Sequence, residues 1–231
     1  MSFRTKIGLL DIGQSQNAPD QDFLALKNDM EFVTIAPLDA YNDQELATQF
    51  QPLVGELPIS SCTKNGQRIL VSRSALVPEL RNGVQMGVTT GCAALLVTCT
   101  GEFDLGDTTI PVIMPGDLLR DQVQQHQSQI ETAAVLVPVD EQQELLQNRW
   151  RLRLPSSIPV HVFTLSPQSS LRECRNMGQQ LKQSGVDTVI MDCFGYSLAQ
   201  KKAIWKVVPR VFNAKEVGIQ FLQSSLKKLA E

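Results

Sequence analysis

Two cysteines stand where apolar strands give way to small polar residues. Ala93-Ala94-Leu95-Leu96-Val97 is a short run of buried-strand type that ends in Thr98-Cys99-Thr100-Gly101. Gly185-Val186-Asp187-Thr188-Val189-Ile190-Met191 is a second such run, followed by Asp192-Cys193-Phe194-Gly195-Tyr196 and a helix-starting Ser197. Open α/β sheets bind their ligands outside the carboxyl ends of the strands. A thiol at that place suits proton transfer or nucleophilic attack. The thiolate is the reactive form, and its usual pKa of about 8.5 falls at a helix N-terminus. A base tuned to the working pH is the efficient one. Each cysteine is expected just before a helix start. The N–H groups of Thr100, Gly101, Gly195, Tyr196 and Ser197 are then candidate donors to a carboxylate. A third strand exit, Asp11-Ile12-Gly13-Gln14-Ser15, adds a carboxylate and more small polar groups; Asp11 either caps this loop or joins the site.

The other candidates read as structural. Cys62, Cys92 and Cys174 read as small buried hydrophobes. Arg73 reads as a surface cation, Asp192 as a group that orders a strand exit, His126 as solvated and His161 as packed within a strand. Five cysteines at irregular spacing, with no C-x-x-C pair, argue against a disulfide framework or a zinc site and for thiols in a cytoplasmic protein. A net charge of −3 gives no basic excess for nucleic acid. No apolar run reaches the roughly 18 residues of a membrane span, and the first residues lack a signal-peptide core. Nothing resembles a phosphate-binding loop, so nucleotide binding is not expected. A homo-oligomer is left open.

The elements that must hold these residues alternate. Strands are expected at 6–10, 32–36, 93–97, 132–138, 160–164 and 185–193, with 208–212 short and extended. Helices are expected from Asp20, from Asn42 or Asp43, from Ser74 to about Val88, through Leu118 to Val123, from Asp140 through Trp150, to about Ser184, from Ser197 and from Asn213. The last carries an apolar stripe of Ile219, Leu222, Leu226 and Leu229. Lys64-Asn65-Gly66 between β-rich runs predicts a hairpin with both central residues tolerant of positive φ. Alternation of this kind predicts parallel sheets. With 231 residues, either one large domain or two small lobes can bury a core. The two halves are alike, so we expect an α/β fold of two pseudo-symmetric three-layer lobes with mainly parallel sheets and the active-site cleft between them. The first lobe is expected over 1–102 plus a returning 208–231, and the second over 103–207.

Several of these segments resemble the AroM family. They are Asp11-Ile12-Gly13-Gln14-Ser15, Val71-Ser72-Arg73, the Asn-Gly hairpin, Leu96 to Phe103, Val135-Leu136-Val137-Pro138-Val139 with Trp150 downstream, and Met191 to Tyr196. AroM-like proteins are similar to the aspartate/glutamate racemase superfamily, which includes hydantoin racemases, maleate isomerases and arylmalonate decarboxylases. The resemblance implies a racemase-like two-lobed fold and chemistry without a cofactor. Two thiols flank one substrate carbon; one thiolate removes a proton and the opposite thiol supplies one. Cys99 matches the first thiol and Cys193 the second, with Asp11 matching a carboxylate that orients the chemistry. The implied partner is a small carboxylate or amino-acid-like ligand. The chain departs from the racemase pattern in three places. Cys-Asn-Thr becomes Cys99-Thr100-Gly101, Cys-Thr-His becomes Cys193-Phe194-Gly195, and Asp-Ser-Gly becomes Asp11-Ile12-Gly13. AroM relatives also continue with Pro-Arg where this chain has Gln16-Asn17, so a carboxylate-binding arginine is missing. The alternatives are a lyase or decarboxylase using one cysteine, and a non-catalytic carboxylate-binding or regulatory protein on the same scaffold.

Overall fold

The first strand, β1 (Thr5–Leu10), is the hinge of a parallel sheet. In the computed structural model, which describes residues 4–15, 20–26, 30–56 and 58–230, with the side chains of 25 and 226–230 outside the description, β1 pairs with β2 (Met30–Ile35), Leu10 opposite Ile35. The helix expected from Asp20 is a 3-10 turn, Gln21–Leu26, with Phe23 and Leu26 buried and Leu24 exposed. Asn42 caps α1 (Asp43–Gln49): its side chain accepts from the Glu45 N–H, and the Glu45 carboxylate accepts from the Asn42 N–H. An antiparallel hairpin follows, β3 (Ile59–Cys62) with β4 (Arg68–Val71). Its turn differs from the expected one. Only Gly66 has positive φ, at 75°, and the Gly66 N–H donates to the Thr63 carbonyl at 2.9 Å. The loop is therefore the three-residue kind, which needs a single left-handed glycine.

The helix α2 (Arg73–Thr89) is capped by Ser72, whose hydroxyl accepts from the Ala75 N–H at 3.2 Å, two residues earlier than expected from Ser74. β5 (Ala94–Val97) then lies beside β1, Val97 opposite Leu10, and β6 (Val112–Ile113) closes the order β2-β1-β5-β6. Leu76, Leu80 and Val84 of α2 pack with Leu10, Ile35, Leu95 and Val97 in one buried cluster.

The second unit begins with α3 (Pro115–Gln125). It continues through β7 (Ala133–Val137), α4 (Gln143–Arg153), β8 (Val160–Thr164), α5 (Leu171–Gln183), β9 (Thr188–Met191), α6 (Leu198–Trp205), β10 (Arg210–Asn213) and α7 (Ala214–Ala230). Its strands are parallel, in the order β8-β7-β9-β10. All five residues of β7 are buried, yet they still alternate: Ala133, Val135 and Val137 join Leu119, Val123, Leu146, Trp150 and Val217 on one face. Ala134 and Leu136 join Cys174, Leu181 and Ile204 on the other. Period-two side-chain alternation in a strand covered on both faces makes three layers.

The chain divides at Met114–Pro115, not at 102/103. Phe103, Leu105, Ile110, Val112 and Met114 pack on the first unit's core, so the segment after Cys99 belongs with it. β10 extends the second sheet beside β9, and Val217 of α7 packs against Leu119 and Val123 of α3. The described part of the segment expected to close the first lobe, 208–230, thus belongs to the second unit. Ile219 and Leu222 are buried as the stripe predicts; Leu226 and Leu229 lie outside the described side chains.

In order of appearance, each sheet has the arrangement second-first-third-fourth. The chain leaves the first strand to one side and returns to the other, so each sheet has a switch point between its first and third strands, where open α/β sheets bind ligands.

Candidate functional site

Cys99 and Cys193 occupy equivalent places in the two units. β5 and β9 are the third strands of their sheets, and each cysteine lies two residues beyond the last strand residue, Val97 or Met191. Both are half-buried. The local turns also match. The Gly101 N–H donates to the Cys99 Sγ at 3.2 Å, and the Gly195 N–H donates to the Cys193 Sγ at 3.4 Å. Each turn thus brings one backbone N–H onto its cysteine sulfur.

The helix dipole expected behind Cys99 is absent. The next α-helix after Cys99 is α3, beyond β6. Behind Cys193 the helix α6 does follow, but its start is internally satisfied. The Ser197 N–H donates to Gln200 Oε1 at 2.9 Å, and the Ser197 hydroxyl accepts from the Gln200 N–H at 3.2 Å. The Tyr196 N–H reaches the Cys193 carbonyl at 3.4 Å. Tyr196 itself is buried, with its hydroxyl donating to the Leu165 carbonyl at 2.6 Å. The N–H groups of Gly101 and Gly195 thus meet the sulfurs, and those of Tyr196 and Ser197 meet groups of their own turn. Thr100 is half-buried between Cys99 and Gly101.

At the first strand exit, Asp11 stands beside Thr98, one residue beyond the Leu10–Val97 pair. Burial pushes its carboxyl above the ordinary range; hydrogen bonds from the Gly13 N–H, the Thr98 side chain and the Ile12 N–H pull the other way, and nearby Asp39 adds to the rise. The Gly13 N–H donates to Asp11 Oδ1 at 3.1 Å. Gly13 can be nothing larger, since a Cβ there would lie 2.7 Å from both the Cys62 carbonyl oxygen and Ser61 Oγ. Gln14 is scaffold: its amide donates to the Leu38 and Tyr41 carbonyls at 3.2 and 2.8 Å, and its Oε1 accepts from the Lys64 N–H at 2.8 Å. Ser15 gives its N–H and hydroxyl to Asp39, at 2.8 and 2.6 Å. Gln16 and Asn17 lie outside the described residues.

The raised Asp11 carboxyl has a stability consequence. Its folded pKa exceeds its unfolded value of 3.8, so the folded state binds the proton more tightly and loses stability as pH rises above that value. Asp11→Asn should therefore melt higher than the parent protein at neutral pH, the gap closing as pH falls towards 3.8. Thermal melts by circular dichroism across that range check it; equal melting temperatures at neutral pH would show that the buried charge costs nothing.

The AroM protein family model matches residues 7–212. This chain belongs to the AroM family. No curated protein sequence matches it. Among solved structures, the AroM chain is similar to the maleate isomerase Iso from Pseudomonas putida S16, at 11% identity over 97% of this chain and 94% of that one, with a TM-score of 0.61. It is similar to glutamate racemase from Francisella tularensis in complex with D-glutamate, at 12% identity, 98% and 82% coverage and a TM-score of 0.57. It is also similar to allantoin racemase from Klebsiella pneumoniae, at 12% identity, 98% and 89% coverage and a TM-score of 0.57. At such identities the likeness establishes the fold.

Of the remaining cysteines of the AroM chain, Cys92 and Cys174 are buried and Cys62 is half-buried. Burial pushes the thiols of Cys62, Cys92 and Cys174 up, with nearby Asp11 adding to the rise at Cys62. Asp192 is buried and orders its strand exit as expected, its Oδ2 accepting from the Trp150 indole N–H at 2.8 Å. Among the described residues, no group of three or more His, Cys, Asp or Glu could hold a metal ion, and no helix is long and apolar enough to cross a membrane. Lys215 escaped the sequence reading. It sits 4% exposed at the start of α7, with its ammonium 5.7 Å from the Phe194 ring centroid. The signal was present only as a lysine following the Asn213 cap.

Proposed function

We propose that this AroM-family chain is a cofactor-independent racemase or isomerase of small carboxylates, with Cys99 and Cys193 as its two proton-transfer groups. The observation that carries this reading is the matched setting of the two thiols: third strand, second residue beyond the strand, and a backbone N–H on each sulfur. One sulfur, as thiolate, takes the proton from the substrate carbon. The electron pair is held by the adjacent carboxylate, and the other thiol returns a proton. The two sulfurs exchange states, so atoms and charge balance with no further reactant. Asp11, with its raised carboxyl, orients groups at the Cys99 exit. D-glutamate and maleate, named with the structural relatives, support a small carboxylate as the substrate class. Working thiols must stay reduced, so the cytoplasm is the compartment we assign.

The test needs no known substrate. Iodoacetamide should label Cys99 and Cys193 fastest among the five cysteines at neutral pH, read by peptide mass spectrometry. A panel of small mono- and dicarboxylates should contain at least one that protects both. Ordinary reactivity at both residues, with protection retained, would instead make this a carboxylate-binding protein.

A further inference from the structure

Gln200 ties a second loop to the turn that carries Cys193. Its side chain is buried at the start of α6, and both ends of its amide are used. Oε1 accepts from the Ser197 N–H, while Nε2 donates to the Pro167 and Ser169 carbonyls at 2.9 and 2.8 Å. Those carbonyls belong to the loop that leaves β8, 33 and 31 residues earlier in the chain. The loop held in this way bears on Gly195. A Cβ there would lie 3.1 and 3.2 Å from the Cβ and Cγ of Pro167, and 3.5 Å from Cys193 Sγ. The Pro167 ring and the sulfur therefore border one point, at the residue whose N–H donates to that sulfur. Gly195 does not have positive φ, so its backbone would take a larger residue; the ring is what calls for glycine. At the Cys99 exit the matching contact needs no second loop. A Cβ on Gly101 would meet the ring of Phe103, two residues further on, at 2.7 Å.

We propose that Gln200 is a positioning residue that clasps the β8 exit loop, seats Pro167 against Gly195 and so keeps the Gly195 N–H on the Cys193 sulfur. This rests on the reading of Cys193 as a working thiol. One planar amide fixes two carbonyls of the loop at once, and its own oxygen is anchored at the helix start. Pro167 therefore has little freedom to retreat, and the turn is closed on that side. Removing the clasp lets the loop move off and frees the turn where the ring now blocks it. An N–H on sulfur favours the thiolate over the thiol, and the thiolate is the reactive form. Losing that contact lowers the reactivity of Cys193. Gln200 carries no charge, so its effect reaches the sulfur through the turn and not through a field of its own.

The test is the pH profile of iodoacetamide alkylation at each cysteine, followed by peptide mass spectrometry, with Cys99 as internal control and circular dichroism to check folding. Gln200→Met keeps the length and the zero charge but has no donor. It should slow Cys193 at neutral pH about threefold, the usual worth of one hydrogen bond, and move its midpoint upward, with Cys99 unmoved. Ser197→Ala removes the other half of the helix cap and leaves the clasp. It should lower the melting temperature and leave the Cys193 profile in place. Gly195→Ala reads the clasp from the other side: with Pro167 held, the turn itself must give, so Cys193 should slow. In the double variant with Gln200→Met the loop yields instead, and Cys193 should be no slower than in Gln200→Met alone. A parent Cys193 that reacts no faster than an ordinary thiol removes the working-thiol reading and this role with it. A fast parent Cys193 whose profile is unchanged in folded Gln200→Met or in Gly195→Ala overturns the role of Gln200 alone. So do additive losses in the double variant, or a Ser197→Ala shift as large as that of Gln200→Met.

Discussion

Cys99→Ser and Cys193→Ser should each lower turnover by about 10²–10⁴-fold, the usual worth of a positioned proton-transfer group. A serine hydroxyl keeps the shape but is far too weak an acid to supply the base at neutral pH. The two losses should differ in kind. In the proposed mechanism each thiol serves one face of the substrate carbon, so each variant would keep a base for one hand of the substrate and lack the donor for the other. In deuterated water, with a carboxylate from the protecting panel, each variant should exchange the α-proton of a single enantiomer, and the two variants should choose opposite ones. Proton NMR reads the exchange and polarimetry the turnover. Near-normal rates in both variants would remove both residues from the chemistry. Dependence on one cysteine alone would indicate a lyase or decarboxylase.

The two cysteines were legible because strand-end placement is a local property. An apolar run followed by small polar residues marks where a strand leaves its sheet, and both runs were of this kind. What the sequence could not show was where the turn donors point. The N–H groups after Cys99 and Cys193 were read as open to a carboxylate, yet those of Gly101 and Gly195 close onto the sulfurs. That depends on turn dihedrals that residue types barely constrain. Gln14 and Ser15 looked like ligand-binding groups for the same reason. Their partners, the Leu38 and Tyr41 carbonyls and Asp39, lie more than twenty residues away in the chain and become neighbours only through folding.

The alternation of elements was also legible, since period-two and helical patterns are short-ranged. The division of the chain was not. The stretch after Cys99 was assigned to the second lobe, but its sparse apolar residues, Phe103, Leu105 and Ile110, hold it on the first unit's core. The 208–212 segment, with its proline, read as a weak extended piece. The structure makes its end, Arg210–Asn213, a sheet strand, because β9 offers a paired edge that the local sequence does not reveal.

Trp150→Ala should be the most destabilising single change in the second unit. The indole is 1% exposed and packs among Ala133, Val135, Val137, Leu146 and Val217. Emptying such a site costs about 3–5 kcal/mol through lost burial and the cavity left behind. For a chain of this length that lowers the melting temperature by roughly 10 °C. The same change strips the indole N–H from the buried Asp192 carboxylate, next in sequence to Cys193. Trp150→Phe separates the two effects, since it refills much of the ring volume but has no donor. It should cost about 1–3 kcal/mol, the penalty of removing one partner from a buried polar group. It should also slow iodoacetamide at Cys193, because an Asp192 carboxylate without that donor presses harder against a neighbouring thiolate. Cys99, in the other unit, should keep its rate. Thermal melts by circular dichroism read the first effect and peptide-resolved alkylation the second. A Trp150→Ala protein melting close to the parent would mean that the indole does not anchor this core. An unchanged Cys193 rate in Trp150→Phe would mean that Asp192 orders its strand exit without reaching the chemistry.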